Sequence, residues 1–422
     1  MIGPYSQEDR LALQAGIEDL QQGNYARAEA RLQALLSRWP EHAEAEHLLG
    51  LIAYKTGRSQ EGVAHLLRSA HLQPGVALVH NNLGTVLMSL QQPAQALTHY
   101  LEAIRLDPDY GESWRNLGNL YKAQGRLTDA RQAYQAAARL LAGDAGILAS
   151  LAGIHADLRQ SRDAERLYRQ SLGLNREDVR VWFRLGELYR SQQRDAEARE
   201  CFQQVLRRQP RHAESHNSLG HLCYRLKEFG AAEQHYLMAL QEDPKFFGAA
   251  NNLACFYYLR AQYPEAEVWV RKALAVKPDY ADAWENLAGI CRMREDLVGA
   301  AAAYSRLCEL VDRPDLKIKS ALMLPVIYES EAEIPVWREK FTAGLQQLLQ
   351  SGIRLRDPSR EIEEWHSYLH YAGPPWLELA LQLAEFYRRA CPELLSIAPH
   401  CREAGRSPGD RLCIGIVAPN FK

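Results

Sequence analysis

The pattern of apolar and polar positions repeats along most of the chain. Leu49, Leu83, Leu117, Leu151, Leu185, Leu219, Leu253 and Leu287 recur at a constant spacing of 34 residues, without insertion or deletion. A fixed period of that length is the signature of a repeat array. The residue after each leucine is small (Gly50, Gly84, Gly118, Ala152, Gly186, Gly220, Ala254, Ala288), so two helices must touch closely there. Thirteen residues after each leucine stands a second small residue, Gly62 in one unit and alanine from Ala96 to Ala300 in the others. Four residues further comes a large one: Leu66, Tyr100, Tyr134, Tyr168, Phe202, Tyr236, Val270 or Tyr304. This predicts two amphipathic helices per unit, the small positions making room and the large ones filling the neighbouring layer. Pro74, Pro108, Pro210, Pro244 and Pro278 close most units, since proline has no amide to give and clashes with the preceding turn.

The unit resembles the tetratricopeptide repeat, a helix-turn-helix module of the same length. Gly16, Ala28, Leu32 and Pro40 extend the frame backwards by one unit, with Ala15 in place of the leucine, which gives nine repeats over residues 9–314. An end unit is expected to be atypical because it caps an apolar face. The predicted fold class is all-α: a tetratricopeptide-repeat superhelix, followed by a C-terminal helical connector and one terminal β-strand. The resemblance implies a right-handed superhelix with the first helix of each unit lining its concave side. Gly23, Gly57 and Gly125 mark the turn between helices. The repeat between Ala142 and Arg176 departs most from the pattern: these two residues replace prolines on either side, and Gly143, Gly146 and Gly153 lower helix propensity.

After Pro314 the period is lost. Residues 315–330 read as an amphipathic helix, and Ser330 with Glu333 as a capping box for a second helix through Trp337, Phe341, Leu345 and Leu348, ended by Gly352. Residues 357–370 and 376–389 read as two more, separated by Gly373, Pro374 and Pro375. Residues 315–409 therefore form a helical connector, with Trp337, Trp365, Tyr368, Tyr371 and Trp376 expected to pack it onto its neighbours. Leu412, Cys413, Ile414, Ile416 and Val417 are apolar on both faces, which suits a buried parallel strand whose sheet this chain does not contain.

Charge and composition narrow the partners. With 50 basic and 52 acidic residues the net charge is −2, so no overall attraction favours a nucleic acid or an anionic membrane, and neither is expected as a partner. Glu8, Asp9 and Arg10 occupy the place where a secretory signal needs its apolar segment, no stretch is long enough to span a bilayer, and the expected location is cytoplasmic. The eight cysteines form no CxxC pair, and Cys223 and Cys291 fall on equivalent inward positions, as small buried apolar residues do. His366 and His370 would share a helix face, but without a glutamate between them or a third ligand no metal site is expected.

One polar column has a functional reading. Directly before the leucines stand Leu48, Asn82, Asn116, Ser150, Arg184, Ser218, Asn252 and Asn286. Asparagine is a mediocre helix former, so propensity does not account for four at one repeat position. An amide both donates and accepts, and a ladder of amides can pair with the backbone of an extended peptide whatever its side chains. Alternatively, the four satisfy neighbouring helix ends or face solvent.

A tetratricopeptide array, a connector containing MLPVIYESEAEIPVWREKF and AEFYRRACPELL, and a final RLCIGIVAPNFK together resemble the bacterial protein O-GlcNAc transferases and SPINDLY-like glycosyltransferases. The resemblance implies that residues 410–422 are the first strand of a Rossmann-like catalytic lobe. It also implies that the family's histidine and its UDP-GlcNAc lobe lie beyond Lys422, so no catalytic or cofactor residue is assigned here, UDP-GlcNAc being the donor only where that domain is present. In that family such asparagines hold acceptor polypeptide, which assigns peptide binding to Asn82, Asn116, Asn252 and Asn286. Three readings stay open: the polypeptide-binding region of a transferase acting on serine and threonine hydroxyls, a free-standing scaffold for partner proteins, or a self-associating homo-oligomer.

Overall fold

The computed structural model of the protein describes residues 6–325, 330–355 and 376–391. They form α-helices joined by turns, with no strand among the described residues; the expected strand at 410–422 and the helix at 357–370 lie outside them. Helices come in pairs: α1 (Gln7–Gln21) with α2 (Tyr25–Arg38), α3 (Ala43–Lys55) with α4 (Ser59–Leu72), α5 (Ala77–Ser89) with α6 (Pro93–Leu106), α7 (Gly111–Ala123) with α8 (Leu127–Leu140), α9 (Ala145–Asp157) with α10 (Ser161–Leu174), and α11 (Val179–Ser191) with α12 (Asp195–Arg208). There follow α13 (Ala213–Arg225), α14 (Phe229–Glu242), α15 (Phe247–Leu259) with α16 (Tyr263–Val276), and α17 (Ala281–Met293) with α18 (Leu297–Leu310). Then come α19 (Pro314–Ala321), α20 (Glu333–Gln350) and α21 (Trp376–Ala390). The chain divides into two compact units, Met1–Leu222 and Cys223–Lys422, the division falling within α13.

Every leucine of the repeating column is buried. The small residue after it is a notch for the large residue of the same unit's second helix. A Cβ on Gly84 would stand 2.6 Å from Tyr100 Cε1, on Gly186 2.7 Å from Phe202 Cε1, and on Gly50 2.7 Å from Leu66 Cγ. The large side chain thus fills the notch of its own pair and also joins the core of the next, as Tyr100 shares a cluster with Leu117 and Leu120.

Turns explain the register. Gly23, Gly57 and Gly125 have φ of 78°, 83° and 72°, and at the same slot Gln91, Arg159, Gln193, Lys227, Ala261 and Glu295 also take positive φ, between 57° and 63°. The left-handed residue lets two amides reach back over the last turn, as where Gly57 N–H donates to Tyr54 O (3.1 Å) and Arg58 N–H to Ala53 O (2.8 Å). Where Ala142 and Arg176 replace proline, aspartate takes over. Gly143 turns with φ 90° and Asp144 caps α9 through Ile147 N–H (3.0 Å), while Asp178 caps α11 through Arg180 N–H (3.0 Å).

In the first unit α1 is sealed by a capping box, Ser6 with Asp9, whose buried carboxylate also accepts from Trp39 Nε1 (2.9 Å) and pairs with Arg38 (3.1 Å). In the second unit α19 to α21 build a separate core from Ile318, Leu322, Phe341, Leu345, Leu348, Leu379, Leu383 and Phe386. Of the aromatic residues expected to pack the connector, Trp337 is half-buried, with Lys340 Nζ 4.3 Å from its ring centroid, while Trp365, Tyr368, Tyr371 and the side chain of Trp376 lie outside the described residues. Helix α19 is shorter than expected. It stops at Ala321, whose carbonyl abuts Gly344, so closely that a Cβ there would stand 2.1 Å from it. The expected capping box also fails. Helix α20 begins at Glu333 with Ala332 as its cap, so Ser330 lies too early, and its carbonyl accepts the Glu333 N–H (3.1 Å) instead. Gly352, with φ 66°, follows the end of α20.

Candidate peptide-binding groove

The asparagine column lies on the first helices of the pairs, and its members sit half-buried beside the buried leucines. Each of three bonds sideways to the preceding first helix. In the first unit Asn82 Nδ2 lies 2.8 Å from His47 Nε2, and Asn116 Nδ2 donates to Asn81 Oδ1 at 2.9 Å. In the second unit Asn286 Nδ2 donates to Asn251 Oδ1 at 2.9 Å and to Cys255 Sγ at 3.1 Å. Asn252 is half-buried between Asn251 and Leu253. The anchors His47, Asn81 and Asn251 occupy the column one residue earlier and are buried, at 8%, 5% and 5% exposure. Burial holds the His47 pKa down to about 4, so its imidazole is neutral at pH 7 and accepts the Asn82 amide proton.

This second column was not singled out from sequence, although the paired asparagines in HNNLG (80–84) and ANNLA (250–254) signal it. In each pair the first asparagine, Asn81 or Asn251, is a buried anchor, and the second, Asn82 or Asn252, is half-buried. Asn82 and Asn116 each use one N–H for the lateral bond, and an amide has two N–H donors and a carbonyl acceptor. A donor and an acceptor of each side chain remain for a ligand.

Other column members differ. Leu48 is buried. Ser218 Oγ donates to Glu187 Oε1 at 2.8 Å, and Ser150 is half-buried. Arg184 is exposed. A further repeated feature escaped sequence reasoning: Trp114, Trp182 and Trp284 each donate their indole N–H to the carbonyl six residues earlier, at Pro108 (2.9 Å), Arg176 (2.8 Å) and Pro278 (2.9 Å). Each indole thereby ties a first helix to the turn leading into it.

Family models described as Tetratricopeptide repeat match residues 13–77, 81–145 and 196–245, and two others of the same description match 179–212 and 248–277. The chain is a tetratricopeptide repeat protein. No curated protein sequence matches it. Among solved structures, it is similar to a tetratricopeptide repeat protein from Parabacteroides merdae at 16% identity, over 64% of this chain and 98% of that one, with a TM-score of 0.49. It is also similar to the Cut9–Hcn1 hetero-tetramer of APC/C at 19% identity, over 66% of this chain and 55% of that one, with a TM-score of 0.46. A third is YrrB, described as having an unusual peptide-binding site, at 19% identity over 52% of this chain and 96% of that one, with a TM-score of 0.35.

Around α9 the first unit of this tetratricopeptide repeat protein opens into a hollow of about 660 Å³. Its lining includes Gly146, Ala149, Ser150 and Gly153, and the two glycines are among those that lower helix propensity in the sequence. No group of three or more histidine, cysteine or acidic side chains is placed to hold a metal among the described residues, and His366 and His370 lie outside them. Cys201, Cys223, Cys291 and Cys391 are buried, and burial pushes the Cys201 thiol up to about 12, far from a reactive thiolate. No helix among the described residues is long and apolar enough to cross a membrane.

Proposed function

We propose that this tetratricopeptide repeat protein is a protein-binding scaffold whose asparagine column holds partner polypeptides in extended form. The observation that carries this reading is the lateral bonding of Asn82, Asn116 and Asn286, which fixes each amide in one orientation with hydrogen-bonding capacity left over. A pre-oriented amide loses little rotamer freedom when it binds, so more of its net hydrogen-bond energy, about 1 kcal/mol each, appears as affinity. Amides that pair with a peptide backbone do not read its side chains, so the column tolerates many sequences.

Two unstructured probe polypeptides of equal composition but scrambled order test this. Their affinities for the full chain, read by fluorescence anisotropy, should agree within a few-fold, and a version locked into a helix should not bind. Binding of the helical form alone, or of neither probe, would remove the reading. A second reading, that the same groove presents acceptor polypeptides for N-acetylglucosamine transfer, draws on the resemblance carried by the connector and residues 411–422; residues 392–422 lie outside the described part of the chain.

A further inference from the structure

The hollow beside α9 contains a donor that its own repeat leaves without an acceptor. In two neighbouring pairs the tyrosine of the second helix gives its hydroxyl proton to the residue two after the column leucine. Tyr100 donates to Thr85 at 3.4 Å, and Tyr134 to Asn119 at 2.6 Å. In the next pair the tyrosine is Tyr168 and the equivalent position is Gly153, which has no side chain to accept. A Cβ on Gly153 would lie 3.6 Å from the Tyr168 hydroxyl, so that oxygen borders the space where the acceptor would be. Among the described residues it makes no hydrogen bond, although the ring is 3% exposed.

Across the hollow stands Arg184, an exposed guanidinium in the asparagine column with no ion pair among the described residues, and Lys122 on the rim is likewise unpaired. The other two cations are engaged: Arg115 with Glu112 and Asp144, Arg180 with Asp178. Of the remaining acids, Glu187 is held by Arg190 at 2.7 Å, and Asp157 is exposed. Unmatched donors therefore outnumber unmatched acceptors.

Resting on the extended-polypeptide reading above, we propose that this hollow is a side-chain subsite for one aspartate or glutamate of the bound polypeptide, its carboxylate accepting from the Tyr168 hydroxyl and the Arg184 guanidinium. One guanidinium and one phenol match the two oxygens of a singly charged carboxylate. A phosphate group carries up to two charges, and Asp157, Asp178 and Glu187 around the same hollow disfavour it.

The test uses the full chain and capped, unstructured peptides that differ only in a central Asp or Asn. The Asp probe should bind about tenfold more tightly, the margin of a charge-assisted over a neutral hydrogen bond. Arg184→Gln should abolish that margin. Gly153→Asn should do the same while keeping or raising the melting temperature, because it supplies Tyr168 with the acceptor its neighbours have. A margin that survives both substitutions overturns the subsite. So does equal binding of a peptide whose sole carboxylate is its free C-terminus. Binding of neither probe is the separate failure of the extended-polypeptide reading, and the subsite falls with it.

Discussion

Two glycines in equivalent pairs predict opposite consequences of one added methyl. Gly84 lies under the Tyr100 ring, and a Cβ there meets Cε1 at 2.6 Å with the ring itself 3% exposed and unable to retreat. Gly84→Ala should cost about 1–3 kcal/mol as overpacking of a filled core. Gly153 has only the Tyr168 hydroxyl within reach, at 3.6 Å, an ordinary contact. Gly153→Ala should stabilise by about 0.5–1 kcal/mol through helix propensity alone. Denaturant melts of the two variants check the signs; equal shifts would mean that the notch is not filled as described. The small column was legible in the sequence because the period displays it. What rests on each member was not, since spacing alone leaves open whether a large side chain turns to its own pair or to the next. Gly153 was legible only as a weak helix former, because the missing acceptor becomes visible once Tyr168 and its repeat equivalents are placed together.

Between helices, the lateral bonds couple α3 to α5 and α5 to α7 in the first unit, and α15 to α17 in the second. The α3 to α5 link depends on a neutral His47, whose pKa falls from 6.5 to about 4 on burial. Between those values the unfolded chain binds a proton that the folded chain refuses. The stability tied to His47 is therefore complete above the unfolded pKa and is lost as the pH falls towards the folded one. From about pH 7 to about pH 4 this should remove on the order of 2–3 kcal/mol. His47→Asn copies Asn81 and Asn251 at the same column and should keep the lateral bond while removing this part of the pH dependence. Urea melts at both pH values measure the difference; an identical pH slope in the variant would contradict the assignment. Turn glycines at Gly23, Gly57 and Gly125 were legible, but the six non-glycine residues with positive φ at the same slot were not. There, packing of the two helices imposes a conformation that the local residue disfavours. The Ser330 box failed for a related reason: a four-residue motif does not reveal where tertiary contacts let a helix begin.

Along the whole chain, the 34-residue period made the helix pairs and their polar turns readable, because each pair repeats one packing solution against its neighbours. The connector was less readable. Its core comes from Phe341, Phe386 and leucines of α19 to α21, and no period announces which of its aromatic residues turn inward. The candidate site was half legible: repeat spacing marked Asn82, Asn116, Asn252 and Asn286, while the buried anchors His47, Asn81 and Asn251 that orient three of them emerge from the packing of successive first helices. The central claim is that this column holds extended polypeptide, and the most direct measurement is the affinity of an unstructured polypeptide for the chain with all four asparagines replaced by alanine. The account predicts a loss of more than about tenfold, since four hydrogen bonds near 1 kcal/mol each are removed, in a variant whose circular dichroism stays helical. An unchanged affinity in that folded variant would contradict it and leave the column with a structural role alone.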